Sequence, residues 1–286
     1  STPKPSSAAS DVYKRQGYID NINVKLDDWS TVKGTLYEGQ KLIDLLNMRA
    51  GDQKIIGEKN FNSDNGIKDK TGKRSMNVNV YPIKDIMKLD ILQTTKKSKP
   101  VYNYNALATN TIMNYTIFKV GDDYQQLLNK VFKEDAKVKN SVFFSKTIRS
   151  RYSDQKKGEY GRYSFYADRY DYLRIAKSIM DDYQNDTCVG KYFKDLHERR
   201  IKKKTTSEFR DPPYNPSKAY GGYFHMEYKG IENKVVFGMS GYGGVSILIA
   251  PETSTITVIN SLHYSGKKKS KFRYNEKLLS INPIKN

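Results

Sequence analysis

The stretch GMSGYGG (Gly238–Gly244) places a serine hydroxyl among glycines, where backbone can approach a reacting group closely. It fits a Gly-x-Ser-x-Gly nucleophile elbow only loosely, because Ser240 is followed by Gly-Tyr-Gly and then by a strand-like run. An elbow needs a strand, a sharp turn and a helix. The plainer reading is a tight hairpin turn. Three histidines are present, His197, His225 and His263, with one cysteine, Cys188. They show no His-x-x-x-His spacing, so no metal site is expected. There is no phosphate-binding glycine loop and no dinucleotide fingerprint, so no cofactor is expected either. Lys202–Lys204 could touch phosphate, but a run of like charges reads first as a solvated face.

These residues need elements to carry them. The 286-residue chain has room for one large domain or two small ones. Hydrophobic residues make up 37% and the mean hydropathy is −0.76, but 23 Tyr and 11 Phe add apolar surface that hydropathy undercounts. No apolar run reaches the roughly 18 residues of a membrane span. A single cysteine forms no intrachain disulfide. The formal charge is +19, from 50 basic and 31 acidic residues. Such a balance suits an anionic partner. The excess of Lys, Asn, Ile and Tyr, all with AT-rich codons, offers a compositional origin for it instead. Outside ERRIKKK (Glu198–Lys204) and KKKSK (Lys267–Lys271) the basic residues are scattered, and no nucleic-acid partner is expected.

Gly17–Trp29 reads as the end of a helix and a loop. Leu42, Leu45 and Leu46 predict a helix within Gly34–Gln53, with Gly51 as a stop. Gly57–Arg74 is polar and carries Asn-Gly and Thr-Gly turn signals. Helices are predicted within Tyr81–Leu92, Thr109–Lys119, Tyr124–Phe132, Asp168–Met180 and Cys188–Arg200. In Asp168–Met180 the residues Tyr172, Ile175, Ala176 and Ile179 share one face. After the Pro-rich RDPPYNPS (Arg210–Ser217) the character changes to short β-branched and aromatic runs bounded by Gly and Pro. Val235–Met239, Val245–Ile249 and Thr255–Asn260 predict adjacent antiparallel strands, since their links are too short for parallel crossovers. The expected architecture is α+β: an antiparallel sheet flanked by helices over about 218–262, and a helical region over about 34–210.

The chain opens on STPKPSSAAS, then DVYKRQ. Back-translated as GAT-GTG-TAT-AAG-AGA-CAG, Asp11–Gln16 matches the transposon end used to fragment DNA for sequencing. Residues 1–16 are therefore expected to be adapter-derived, disordered and without packed contacts, with native sequence over 17–286.

FGMSGYGGVSILIAPETSTITVINS (Phe237–Ser261) resembles the C-terminal sheet of the serine β-lactamase-like and penicillin-binding-protein-like hydrolases. These include class C β-lactamases, DD-peptidases, esterases and aminohexanoate-oligomer hydrolases. KLIDLLNMRAG (Lys41–Gly51), VYNYNALATNTIM (Val101–Met113) and YSFYADRYDYLRIAKSIM (Tyr163–Met180) resemble three further segments of that superfamily, in the same order. The resemblance implies a serine hydrolase that forms an acyl-enzyme on an ester or amide of small-molecule or peptide-like type. It implies Tyr104 as the proton-transferring phenol and Asn105 as an orienter of a substrate amide. Met239, Ser240, Gly241 and Gly243 would bind substrate along a strand edge. Tyr242 would supply one oxyanion N–H. Met239 departs from the usual His or Lys, which removes a cation for a substrate carboxylate and favours neutral esters or amides. The family nucleophile is the Ser of Ser-x-x-Lys, expected one helix before Gly17. Of the four Ser-x-x-Lys strings here (Ser1–Lys4, Ser30–Lys33, Ser153–Lys156 and Ser265–Lys268), none opens an apolar helix. All four are read as chance. The polypeptide is expected to be an inactive fragment, with its N-terminal strands and nucleophile helix missing. Relatives are often exported, and the compartment and oligomeric state are left open. The alternative is a basic, non-catalytic binding module or pseudoenzyme on the same fold.

Overall fold

A computed structural model describes residues 21–49, 66–68, 75–77, 81–93, 102–140, 143–147, 162–203, 217–240 and 245–260. Residues 1–16, with the expectation attached to them, lie outside this set. The chain divides into two compact units. One spans Gln16–Gln125 and Phe144–Ser164; the other contains Gln126–Phe143 and Phe165–Asn286.

In the first unit the backbone around Ile22–Leu26 runs beside Gln40–Ile43. Leu42 N–H donates to Val24 O at 2.9 Å and Ile43 N–H to Ile22 O at 2.8 Å. Helix α1 is short, Leu42–Leu46, and ends because Met48 takes a left-handed conformation, φ 54°. The predicted stop, Gly51, lies outside the described residues. Strands β1 (Gly66–Lys68) and β2 (Ser75–Asn77) pair antiparallel, with Ile67 opposite Met76. Helix α2 is Ile83–Met87, entered through Pro82. Helix α3, Ala106–Val120, packs against α1 and α2. It is buried on nearly every side, polar residues included. Thr111 and Thr116 donate to the carbonyls four residues earlier, at 2.8 and 2.7 Å, and Asn114 does the same to Asn110 at 2.8 Å. That local bonding lets polar side chains lie in a core. Strands β3 (Phe143–Thr147) and β4 (Arg162–Tyr166) form a second two-stranded sheet. Among the described residues the expected helical region thus contains five short strands, these four and Ile201–Lys202, formed by backbone pairing in segments with no long alternating apolar pattern.

Helix α4, Tyr124–Asn129, continues as a π-helical stretch, Lys130–Asp135. In the second unit helix α5 (Arg169–Gln184) is capped by Asp168, whose carboxylate accepts from Asp171 N–H at 2.8 Å. It buries Tyr172, Ile175, Ala176 and Ile179, the face read from the sequence, and adds Met180. Helix α6 (Cys188–Glu198) is capped by Thr187 and crosses α5 closely at Gly190. The sheet follows as strands β5 (Ile201–Lys202), β6 (Ser217–Gly221), β7 (Phe224–Tyr228), β8 (Phe237–Ser240), β9 (Val245–Ala250) and β10 (Thr255–Asn260). It is a six-stranded antiparallel meander in which every strand lies beside its sequence neighbour. The three adjacent strands read from β-branched runs are β8, β9 and β10. Strand β9 is buried along its whole length, as a central strand packed on both faces must be. Helix α5 packs against β9 and β10. Phe193 of α6 meets Phe224 and Phe237 of the sheet with centroids 5.8 and 5.7 Å apart. Fold class is therefore α+β.

Candidate active-site segments

Tyr104 lies just before α3. The segment is fixed at both ends: Asn103 N–H donates to Met48 O at 2.6 Å, and Tyr102 is 8% exposed. Asn105 is the N-cap of α3. Its side-chain oxygen accepts from Ala108 N–H at 2.8 Å and its amide nitrogen donates to Asn103 O at 2.8 Å. That is an efficient helix start, and it commits both ends of the Asn105 amide to backbone. Tyr104, between half-buried Asn103 and buried Asn105, is 46% exposed. One turn into the helix, Thr109 Oγ1 is buried with no hydrogen-bond partner among the described residues.

In the other unit Met239 and Ser240 close β8, opposite Ile247 and Ser246 of β9. Met239 is buried. The ladder from β8 to β7 is a single pair, Gly238 with His225. Gly238 is a close-approach position: a Cβ there would lie 1.7 Å from the Tyr228 hydroxyl. Ser240 Oγ is buried and has no hydrogen-bond partner among the described residues. Gly241, Tyr242 and Gly243 lie outside the described residues.

Ser30 sits exposed in a 3₁₀ turn, Ser30–Val32, away from any apolar helix start. His197 is half-buried with its ring edge-on to Phe237 at 6.0 Å. Burial first, then the Arg200 guanidinium, holds its pKa below the ordinary histidine value. The basic run divides: Lys202 is exposed, whereas Lys203 is 5% exposed. Lys203 is thus not part of a solvated face, because the continuation of β5 turns it inward. Its Nζ reaches Ser217 Oγ at 2.6 Å and His225 Nδ1 at 2.9 Å. Sequence reasoning placed His225 on a strand but did not connect it with Lys203 or Ser217. The only available signal was strand alternation through Ile201–Lys203, which turns adjacent residues to opposite sides.

Among the described residues no group of three or more His, Cys, Asp or Glu side chains could hold a metal ion. Among them, too, no helix is long and apolar enough to cross a membrane. Compared with protein-family models and with curated proteins, the chain matches none.

Proposed function

We propose that this chain is the part of a serine hydrolase of the β-lactamase-like superfamily that supplies the proton-transferring phenol and the substrate-binding strand. In this reading the parent enzyme forms an acyl-enzyme on a neutral ester or amide. Tyr104 takes the proton from the nucleophilic hydroxyl and returns it to the leaving group. Met239–Gly243 pair with substrate backbone, and Tyr242 N–H stabilises the oxyanion. The observation that carries the reading is Tyr104 itself: a phenol left 46% exposed by a segment in which Tyr102 is buried and Asn105 is locked into a cap. The order of the meander, with a Gly-rich link between β8 and β9, supports it. The basic-module reading draws less support. In ERRIKKK, Arg199 pairs with Asp195, Arg200 with Glu227, and Lys203 is buried.

The test is to express the gene with its upstream sequence and treat it with a penicillin probe and an activated amide. Acylation is expected at a Ser-x-x-Lys serine preceding Gly17, slowed about 10²–10⁴-fold by Tyr104→Phe. Labelling at Ser30 or Ser240 overturns the assignment, as does a Tyr104→Phe variant that acylates at the unaltered rate. An intact gene without the motif, binding DNA with steep salt dependence, decides for the basic module.

A further inference from the structure

Three polar side chains from successive parts of the meander meet in its interior. Lys203 directly follows β5, Ser217 opens β6 and His225 lies in β7; they are 5%, 3% and 7% exposed. Lys203 Nζ is 2.6 Å from Ser217 Oγ and 2.9 Å from His225 Nδ1, and Ser217 Oγ is 3.3 Å from that same ring nitrogen. Lys203 N–H donates to Lys218 O at 2.9 Å, which fixes the lysine backbone beside β6. The Tyr220 ring stands edge-on to the imidazole, centroids 5.2 Å apart.

A hydroxyl within hydrogen-bond reach of a base, with the base held by a third group, is the arrangement that activates a serine. We propose that Ser217 is an acyl-accepting nucleophile, with Lys203 as its base and His225 as a positioning residue, and that it acts on small neutral esters. The pair escapes a Ser-x-x-Lys search because its members lie 14 residues apart in sequence. Withdrawing an amine from water favours its neutral form. In that form Lys203 accepts the Ser217 proton while donating one N–H to His225 Nδ1, which places the ring proton on Nε2. Ser217 Oγ then bonds the ester carbonyl carbon as its proton passes to Lys203 Nζ. The carbon–oxygen bond to the leaving group breaks, and the alkoxide departs as an alcohol with that proton. Water attacks the acyl-serine, giving one proton to Lys203 and through it to Ser217 Oγ, and releases the acid. The sum is ester plus water to acid plus alcohol. The three side chains are enclosed, so a carboxylate-bearing substrate would bury its charge there, which favours a neutral one. No step uses Tyr104 or Met239–Gly243, so this reading stands or falls apart from the one above.

The test treats the chain as it exists with 4-nitrophenyl acetate and phenylmethylsulfonyl fluoride, followed by intact mass and peptide mapping. One adduct is expected, on the peptide containing Ser217, absent in Ser217→Ala and formed at least about 100-fold more slowly in Lys203→Met. His225→Gln is expected to keep the adduct but shift the pH profile of its formation. Far-UV circular dichroism checks that each variant folds. Should Lys203→Met not fold, Ser217→Cys converted to its methyl disulfide by methyl methanethiosulfonate, with methanesulfinate as the leaving group, supplies the second reading. Its thiol is expected to react below pH 7, unlike an isolated cysteine, because Lys203 takes the thiol proton and then pairs with the thiolate. The absence of a Ser217 adduct on the folded chain overturns the proposal. A folded Lys203→Met variant that labels at the unaltered rate overturns it too, as does a Ser217→Cys thiol with an ordinary pH profile.

Discussion

Asp171 is the carboxylate on which the start of α5 depends, and removing it gives a sharp test of the fold. Its side chain is fully buried and accepts Lys139 N–H and Asn140 N–H, each at 3.0 Å, and the Arg174 guanidinium at 2.6 Å. It thereby ties the backbone after the π-helical stretch to α5, while Asp168 caps the helix and also accepts from the Asn140 side chain. A hydrogen bond to a charged group contributes about 1.5–3 kcal/mol, and a buried donor left without an acceptor costs about 1–3 kcal/mol. Asp171→Ala strands two backbone donors; Arg174, at 29% side-chain exposure, recovers water. The expected loss is about 3–4 kcal/mol, and about 2 kcal/mol for Asp171→Asn, which retains one acceptor oxygen. Urea unfolding followed by far-UV circular dichroism reads the loss. Hydrogen exchange localises it, with Lys139 and Asn140 amides the most affected. The pH dependence follows. Burial pushes the Asp171 carboxyl up, but the Lys139 and Asn140 N–H groups and Arg174 outweigh it and hold the pKa below the usual carboxylate value. A depressed carboxylate contributes its stability in full above the unfolded value of about 3.9 and loses it as pH falls through the folded value. Wild type should therefore lose stability more steeply than Asp171→Asn below about pH 4. A folded Asp171→Ala protein within about 0.5 kcal/mol of wild type, with unchanged exchange at Lys139, refutes the clamp.

Gly190→Ala should separate α6 from α5, because its Cβ would lie 1.9 Å from Asp182 O; a loss of about 1–3 kcal/mol is expected in thermal melts. Phe193→Ala removes the ring between Phe224 and Phe237 and should cost about 3–5 kcal/mol by urea unfolding. Tyr115→Phe deletes the hydroxyl that donates to Asp28 at 3.0 Å and should cost about 1 kcal/mol, with the Lys119–Asp28 ion pair intact. Tyr115 fluorescence titration should show the phenol ionising well above the ordinary tyrosine range, raised by burial first and by Asp28 second.

Where the chain's apolar residues repeat at one spacing, the elements could be read directly. Val245–Ala250 and Thr255–Asn260 are β-branched runs between Gly and Pro, and they pair across all six positions. The Tyr172–Ile175–Ile179 face of α5 is equally plain. The reading weakened where local bonding replaces a hydrophobic pattern. Helix α1 keeps its leucines but lasts only five residues, because Met48 turns left-handed. Strands β1 and β2 are three residues each, too short for alternation to appear. At the candidate sites, Tyr104 was singled out through a resemblance carried by one continuous segment, VYNYNALATNTIM. Lys203, Ser217 and His225 were not. Their meeting depends on two reversals of the chain, and a lysine in a run of three carries no mark of burial.

The place of Lys203 is nevertheless over-determined by the backbone around it. Arg200, between α6 and β5, donates to His197 O at 2.6 Å and to Glu227 of β7 at 2.7 Å. This joins the end of the helix to the β6–β7 hairpin. The hairpin turns through Gly222 and Tyr223, with φ 57° and 71°, the two left-handed residues a tight two-residue turn needs. Gly222 meets α6 there: a Cβ would lie 2.3 Å from a Leu196 methyl, and one on Gly221 would lie 2.8 Å from Leu196 O. Helix end, edge strand and hairpin are thus held on one another by an ion pair and two glycine contacts, all outside the polar cluster. Once β5 takes its register, Ile201 opposite Tyr220 and Lys202 opposite Ala219, the next residue falls opposite Lys218. From there its side chain reaches Ser217 and His225. The lysine is delivered to the serine by the packing of α6 against the hairpin, so the cluster's geometry does not depend on its own hydrogen bonds to assemble.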